Sequence, residues 1–472
     1  MRVILKGLER LQQYVSEGAF HDSRERSPQP MCHPNTRREV LKIIMDWVKD
    51  SHSPRRIIWL NGPAGAGKSA IAQQIAEHCS KKQLAACFFF LRNSLDRGSA
   101  TLLFATLAWP LAKNIPEILP YIEAAVEEEP LLPTKSIDIQ FNGLIVQPFR
   151  ILLHVKPDFR PTKFLVIIDG VDECAPDQDQ SQLLELIGNA LSNAQIPLHF
   201  LMCSRAEAHI QETFELEVLT TVTSKLTLDH HFSPDVDIRR YLKEEFARMC
   251  SERKPSSSPW PPHGAIDQLV SKSSGQFIYP STVVKFVGDP DCDPTTQLSI
   301  VLKACPANFS SPFAELDLLY IQILSQQPDT RLLRDLFTLI IALREPHIAF
   351  VCRRLRISKE ELTRKLRRLH SLVRISESVI DTYHLSLHDF FHDKKRAGKY
   401  FIHPMRVAFV RLPDTAGPGL LVAGELALQV VLVVTLAMAT LGIPLCCAYV
   451  EERQDRQSRG SPAPQLAPES SL

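Results

Sequence analysis

The first half of the chain alternates short apolar runs with longer segments in which apolar residues recur at helical spacing. Continuous apolar runs, which are typical of strands buried on both faces, occupy residues 56–60, 85–90, 164–169 and 199–204. A threonine-rich stretch at 218–228 is expected to be a last strand. Strands that alternate with helices predict an α/β fold, with one parallel sheet covered by helices on both faces.

Helical periodicity fills the segments between these strands and continues beyond them. The segments with this spacing are 38–50, 99–113, 137–155, 182–193 and 235–249. From residue 233 the pattern is almost entirely helical, which predicts a separate helical region after the sheet.

A different arrangement is expected near the end of the helical region. Residues 358–369 predict a helix capped by Ser358, and two short strands are expected at 371–376 and 379–384. Helices followed by a short hairpin over residues 313–400 are typical of a winged-helix domain.

The segment that follows the first strand carries the most specific motif. Residues 62–69 read Gly-Pro-Ala-Gly-Ala-Gly-Lys-Ser and fit the P-loop pattern G-x-x-x-x-G-K-[S/T]. Lys68 is placed to reach the β- and γ-phosphates of a nucleotide, and the Ser69 hydroxyl to bind Mg²⁺. The predicted nucleotide-binding residues are Gly62, Pro63, Ala64, Gly65, Ala66, Gly67, Lys68, Ser69 and Ala70. Because a strand precedes the motif and a helix follows it, a chance glycine-rich turn is the weaker interpretation.

Acidic and basic residues follow two later strands. Asp169 ends one strand, at the edge of the sheet where ligands bind, and is the second predicted Mg²⁺ ligand. Glu173 and Asp172 are the candidates that polarise the attacking water. Arg205 follows the next strand and is the candidate that contacts the γ-phosphate. The alternative interpretations are a solvated acidic turn and an ordinary surface arginine.

These motifs together resemble a known family. Residues 62–69, Ile-Ile-Asp-Gly-Val-Asp-Glu at 167–173 and Cys-Ser-Arg at 203–205 are similar to the NACHT-type signal-transduction ATPases of the STAND class. The resemblance implies a nucleotide-controlled switch that is closed with ADP, and open and oligomeric with ATP. It also implies self-association through the NACHT domain and an effector protein of unknown identity, and it is the only reason to prefer ATP to GTP.

Three further segments narrow the resemblance to the NACHT proteins of mushroom-forming fungi. They are residues 19–23, 32–37 and 275–279, and the resemblance as a whole covers about residues 10–405. It implies a role in innate recognition or programmed cell death, and it places the linker with His33 and Arg37 near the adenine.

A histidine near the end of the expected winged-helix domain belongs to another motif of this family. The stretch His384-Leu-Ser-Leu-His-Asp-Phe-Phe resembles its histidine–serine–aspartate–phenylalanine signature. The resemblance implies that His384 contacts the β-phosphate of ADP and holds the closed state. A histidine of the hydrophobic core is an equally good interpretation of the sequence.

Composition limits the partners and the compartment. The net charge is +1, with 44% hydrophobic and 23% charged residues, so no overall charge attracts nucleic acid. Three basic clusters around residues 353–356, 364–368 and 394–396 suggest DNA binding, but they alternate with acids and are better explained as solvated faces. Eleven scattered cysteines and the lack of a secretory signal predict a cytoplasmic protein with reduced thiols.

The chain changes character after about residue 405. Residues 426–450 contain no charged residue and are long enough to cross a bilayer. Two interpretations stay open: a C-terminal membrane anchor, or a translated intron or shifted reading frame, which would explain the abrupt change in composition.

The expected organisation follows from these segments. The predicted regions are an N-terminal helix and linker (1–37), a NACHT P-loop NTPase domain (38–230), a helical domain (231–310), a winged-helix domain (311–405) and a tail (406–472). The function that this organisation favours is a slow, ATP-hydrolysing switch. One alternative is a conventional ATP-hydrolysing enzyme or machine, although no acceptor motif is found. The other is a degenerate nucleotide-binding scaffold, which the lack of an internal repeat supports.

Overall fold

A parallel sheet is the centre of the computed structural model, which describes residues 6–410 except for 51–52, 81–82, 93, 160–163, 194, 254, 257–258, 304–312, 328, 344–345 and 377. The strands are β1 (Ile57–Asn61), β2 (Leu84–Phe89), β3 (Phe164–Asp169), β4 (Leu198–Ser204) and β5 (Thr223–Thr227). Their order is β2-β3-β4-β1-β5, and every neighbouring pair is parallel. The predicted parallel sheet is therefore confirmed, with the carboxyl ends of β1 and β3 on one edge and β4 between them.

Helices cover both faces of this sheet. Those of the first half are α1 (Lys6–Gln12), α2 (Arg38–Lys49), α3 (Lys68–Cys79), α4 (Leu103–Asn114), α5 (Leu119–Glu128), α6 (Ile137–Phe141), α7 (Gln147–Val155), α8 (Asp177–Ser192), α9 (Ala208–Phe214) and α10 (Glu217–Thr220). Successive residues of β3 belong to different apolar cores: Leu165 and Ile167 to one, Val166 and Ile168 to the other. This alternation is expected of a strand that is buried on both faces.

The last predicted strand is wrong in its first part. Residues 217–220 form α10, and only Thr223–Thr227 pair with β1. Leu219 in α10 is fully buried and packs against Gly188 of α8, where a β-carbon would lie 2.8 Å from the leucine side chain. Burial of one leucine therefore outweighs the strand preference of the surrounding threonines.

The second half of the described chain is helical and has its own core. Its helices are α11 (Pro234–Arg253), α12 (Ala265–Ser273), α13 (Ile278–Val287), α14 (Pro294–Lys303), α15 (Ala314–Ser325), α16 (Thr330–Ala342), α17 (Ile348–Leu355), α18 (Lys359–Arg367), α19 (Ser386–His392), α20 (Lys394–Ala397) and α21 (Pro404–Val410). One continuous apolar core extends from Ile238 to Val407. The predicted division of this half at residue 310 stays a prediction.

The expected hairpin lies between α18 and α19. It consists of β6 (Val373–Ser376) and β7 (Val379–Thr382), which pair antiparallel. The predicted cap of α18 is present, because the Ser358 hydroxyl accepts a hydrogen bond from the Glu361 N–H at 3.1 Å.

Within residues 6–410, apart from the gaps given above, no helix is long and apolar enough to cross a bilayer. The predicted membrane segment at 426–450 lies outside the described residues.

Candidate functional site

The loop between β1 and α3 has the backbone of a phosphate cradle. Gly65 and Gly67 have φ angles of 76° and 95°, which side chains with a β-carbon rarely adopt. The Lys68 ammonium donates to the carbonyl oxygens of Gly62 at 2.7 Å and Pro63 at 3.0 Å. Burial lowers the pKa of Lys68, although nearby carboxylates oppose that change. The Lys68 ammonium is therefore folded back onto the P-loop. The helix that follows this loop, α3, begins at Lys68.

Ser69 and Asp169 form the candidate metal site. Asp169 ends β3, and its side chain is only 5% exposed. The Ser69 hydroxyl is hydrogen-bonded to it, while its Oδ1 atom has no hydrogen-bond partner among the described residues. Burial raises the pKa of Asp169, and the Ser69 hydrogen bond opposes this. A hydroxyl and a buried carboxylate oxygen without a partner fit Mg²⁺, which prefers oxygen ligands.

The two acids after β3 differ in how firmly they are held. Asp172 is buried, accepts a hydrogen bond from the Arg205 N–H at 2.9 Å and pairs with Arg205 Nε at 3.2 Å. Among the described residues, Glu173 accepts a hydrogen bond only from the Arg92 N–H, at 3.1 Å. Burial and the charge of Asp172 raise the pKa of Glu173 to about 7. Glu173 is therefore better suited than Asp172 to accept a proton from water.

Arg205 is bound by acids from two parts of the chain. Besides its contacts with Asp172, its Nη1 atom lies 2.9 Å from Asp389 Oδ2 on α19. Burial disfavours the charged form of Arg205, but Asp389 and Asp172 outweigh burial and raise its pKa. The alternative of an ordinary surface arginine does not fit a side chain that is 20% exposed and paired twice.

His384 lies just before α19 and lines the same cavity as the loop. Its Nδ1 atom accepts the Ser386 N–H at 3.0 Å and lies 2.8 Å from the Ser386 hydroxyl, which is itself 2.8 Å from the Tyr320 hydroxyl. Burial, Arg205 and Lys68 lower the pKa of His384 to about 3. The neutral ring therefore carries its proton on Nε2, the nitrogen that remains able to donate.

A cavity of about 1330 Å³ joins these groups. Its wall is formed by the P-loop, the ends of β2 and β3, residues 20–37, α13 and the hairpin β6–β7. Its volume is sufficient for a nucleotide, because ligand pockets range from about 300 to 1,000 Å³.

The linker before α2 lies against this cavity. Arg37 donates from Nη2 to the Ala66 carbonyl at 2.7 Å, and its guanidinium lies 4.9 Å from the centre of the Phe277 ring. His33 lies edge-on to Tyr241 and within 3.6 Å of acids on α11. Arg37 thus contacts the P-loop and both residues line the cavity, while the position near an adenine that the resemblance implies stays a prediction.

The helical region also contacts the P-loop directly. The Ile278 N–H at the start of α13 donates to the Gly65 carbonyl at 3.2 Å. A β-carbon on Gly65 would lie 2.3 Å from Ile278 Cγ2, so this approach requires glycine.

Comparisons with known proteins agree with this arrangement. Residues 38–205, less than half of the chain, match the family of the nephrocystin 3 N-terminal region. The fold is identified by the strand order β2-β3-β4-β1-β5, together with a P-loop after β1 and an acid at the end of β3. Residues 57–227 have the fold of a P-loop NTPase. This P-loop NTPase region coincides with most of the matched segment.

Several solved structures are similar to the chain. Cdc6p from Pyrobaculum aerophilum has 12% identity and a TM-score of 0.36, over 82% of this chain and 98% of that chain. The RuvB Holliday junction branch migration motor from Thermotoga maritima has 11% identity and a TM-score of 0.28, over 74% and 92%. Because both scores are below 0.5, neither protein's activity is transferred to this chain. No curated protein sequence matches it.

The structure brings together residues that the sequence predicted separately, and adds others. Lys68, Asp169, Glu173, Arg205 and His384 all line one cavity. Three residues were missed by the sequence analysis: Arg26, Arg92 and Asp389. Asp389 belongs to the signature that contains His384, so that motif was the available signal; Arg26 and Arg92 stand in no motif that could have shown them.

Proposed function

We propose that the protein is a NACHT-type switch that binds ATP and ADP with Mg²⁺ and hydrolyses ATP slowly. The observation that carries the proposal is the contact between Asp389 on α19 and Arg205 beside β4, with His384 next to them. Arg205, the residue that we propose contacts the γ-phosphate, is thus held by the helical half of the chain. The resemblance to fungal NACHT proteins supports a role in innate recognition or cell death.

The proposed binding step uses the P-loop and its neighbours. The loop amides and Lys68 hold the phosphates, while Ser69 and Asp169 would hold Mg²⁺. The metal would supply charge neutralisation of the phosphates. His384 donates from Nε2 to a phosphate oxygen, which links the nucleotide to α19.

The proposed hydrolysis step uses Glu173 and Arg205. Glu173 accepts a proton from the attacking water, since one backbone N–H is the only donor that holds its carboxylate in the described part of the chain. Arg205 stabilises the negative charge of the γ-phosphoryl group. Because Asp389 competes with that group for Arg205, turnover is slow while the ion pair is intact.

The competition also defines two states. With ADP, Arg205 stays on Asp389 and the helical half stays closed over the cavity. With ATP, the γ-phosphate offers Arg205 a second anion and weakens the hold of Asp389, which favours opening. Self-association through the P-loop NTPase region and binding of an effector would follow from the open state.

The first test measures bound nucleotide and steady-state turnover of the purified full chain. Near-stoichiometric ADP with slow turnover supports the switch. Fast turnover without retained nucleotide favours the conventional ATPase, and binding without hydrolysis favours the scaffold. Lys68→Ala is expected to abolish triphosphate binding, while Lys42→Ala, an exposed lysine on α2, is the control. Unchanged affinity in Lys68→Ala would overturn the proposed site.

A further inference from the structure

Arg26 brings a buried positive charge into the nucleotide cavity from the N-terminal segment, defined here as residues 16–37. Its side chain is 8% exposed and lines the cavity. Its Nη1 atom donates to Gln73 Oε1 at 2.8 Å, and its guanidinium lies 3.6 Å from the centre of the Phe89 ring. An arginine fixed by a hydrogen bond and a ring at this burial is part of the cavity wall.

Arg26 also donates from Nη1 to the Phe20 carbonyl at 3.4 Å, inside the N-terminal segment. Its other two contacts, with Gln73 and Phe89, belong to the metal end of the site. Gln73 is on α3, one helical turn after Ser69. Phe89 ends β2 and is the register partner of Asp169 on β3. Arg26 is therefore attached to the two elements that carry the candidate Mg²⁺ ligands.

Among the described residues, the positive charge of Arg26 is not balanced by a directly paired carboxylate. Within the described part of the chain it forms no ion pair with a carboxylate. Burial lowers the pKa of Arg26 to about 10, and the charge that most opposes this is that of Asp169. The guanidinium is thus a buried cation, and the charge of Asp169 favours its charged form.

We propose that Arg26 is a positioning residue that makes the N-terminal segment respond to the γ-phosphate of the bound nucleotide. The inference rests on the proposed function and adds a second regulated element to it. The segment lies before residue 38, where the match to the nephrocystin 3 region begins, so the comparison assigns it nothing.

The direction of the response follows from charge. Mg²⁺ on Ser69 and Asp169 would cancel the negative charge that favours Arg26. The γ-phosphate of ATP would add negative charge near Ser69 and Asp169, whereas ADP has no γ-phosphate. The N-terminal segment is therefore held more firmly with Mg²⁺ and ATP than with Mg²⁺ and ADP.

Hydrogen–deuterium exchange of the full chain tests this direction. Peptides within residues 16–37 are compared with saturating Mg²⁺ and either ADP or ATPγS, and saturation is verified for each variant. We expect exchange to be slower with ATPγS by about threefold to tenfold. Arg26→Gln should lose the difference and Arg26→Lys should keep most of it, because charge and not shape is responsible. Arg38→Gln, at an exposed arginine directly after the segment and outside the cavity wall, should behave as the natural protein.

The possible results separate this inference from the proposed function. Absence of nucleotide binding in the natural protein contradicts the proposed function. Binding of both nucleotides with equal exchange in residues 16–37 contradicts the inference alone. A nucleotide-dependent difference that persists in Arg26→Gln, or that disappears equally in Arg38→Gln, also overturns the role of Arg26.

Discussion

Arg205 and Asp389 form an ion pair at 2.9 Å that joins the end of β4 to α19. Arg92 lies 3.8 Å from the same carboxylate and donates to the Asp172 carbonyl at 3.1 Å. A single carboxylate of the helical half thus faces two arginines at the phosphate end of the P-loop NTPase region. The proposed switch therefore depends on a residue that no phosphate would touch.

Removing this carboxylate should loosen the closed state. In Asp389→Asn we expect ADP release to be about fivefold faster, because a partly exposed ion pair of this kind contributes about 1 kcal/mol. Release is measured by stopped-flow displacement of a fluorescent ADP. Asp317→Asn is the matched control, since Asp317 on α15 pairs with Arg396 on α20 at 2.8 Å, away from the cavity wall. Equal release rates in the two variants would contradict a role for the Arg205–Asp389 pair.

Replacing Glu173 should separate binding from hydrolysis. Glu173→Gln keeps the shape and the Arg92 contact but cannot take a proton, so single-turnover hydrolysis should fall about 100-fold or more. ATP affinity should stay unchanged. If hydrolysis survives, Asp172 becomes the better candidate for the base.

Two glycines with nearly equal φ angles allow a controlled test of the α13 contact. Gly65→Ala and Gly264→Ala both place a β-carbon at positive φ, 76° and 79°, which costs about 1 kcal/mol in each. Only at Gly65 would the new carbon collide with Ile278, while the space around Gly264 is open. We therefore expect Gly65→Ala alone to lose nucleotide affinity in calorimetric titration. Similar losses in both variants would show that backbone strain, and not the collision, is responsible.

Acid should weaken the contacts of His384. Its pKa falls from 6.5 to about 3 in the folded protein, so between these values the unfolded chain binds a proton that the folded chain does not. Stability is then complete above pH 6.5 and decreases as the pH falls toward 3, by up to about 1 kcal/mol per pH unit.

Urea unfolding at pH 7 and pH 5 measures this loss. His384→Asn can still accept the Ser386 N–H but cannot be protonated, so its pH dependence should be flatter than that of the natural protein. Some dependence should remain, because burial also lowers the pKa of His388, to about 4. An unchanged slope in His384→Asn would mean that His384 is not buried in its neutral form.

The sequence predicted the elements that local patterns determine, and it failed where distant contacts decide. The P-loop, Asp169 and the surrounding strands follow from spacing and apolar runs alone. The helix at residues 217–220 was missed because burial of Leu219 depends on its packing against α8. The Arg205–Asp389 pair could not be predicted for the same reason, because nothing in the sequence around either residue indicates the other one. In the sequence, Arg26 is one of several charged residues in a polar linker, and its contact with Gln73 distinguishes it from them.

The hydrogen-bonded chain from Tyr320 through Ser386 to His384 has a consequence for sequence variation. Tyr320 is buried against Phe390, in the core of the helical half, yet its hydroxyl shares a partner with a residue that faces the cavity. Loss of any one of the three polar groups removes a hydrogen-bond partner from another buried one. Among related sequences, positions 320, 384 and 386 should therefore co-vary, although only one of them lines the cavity.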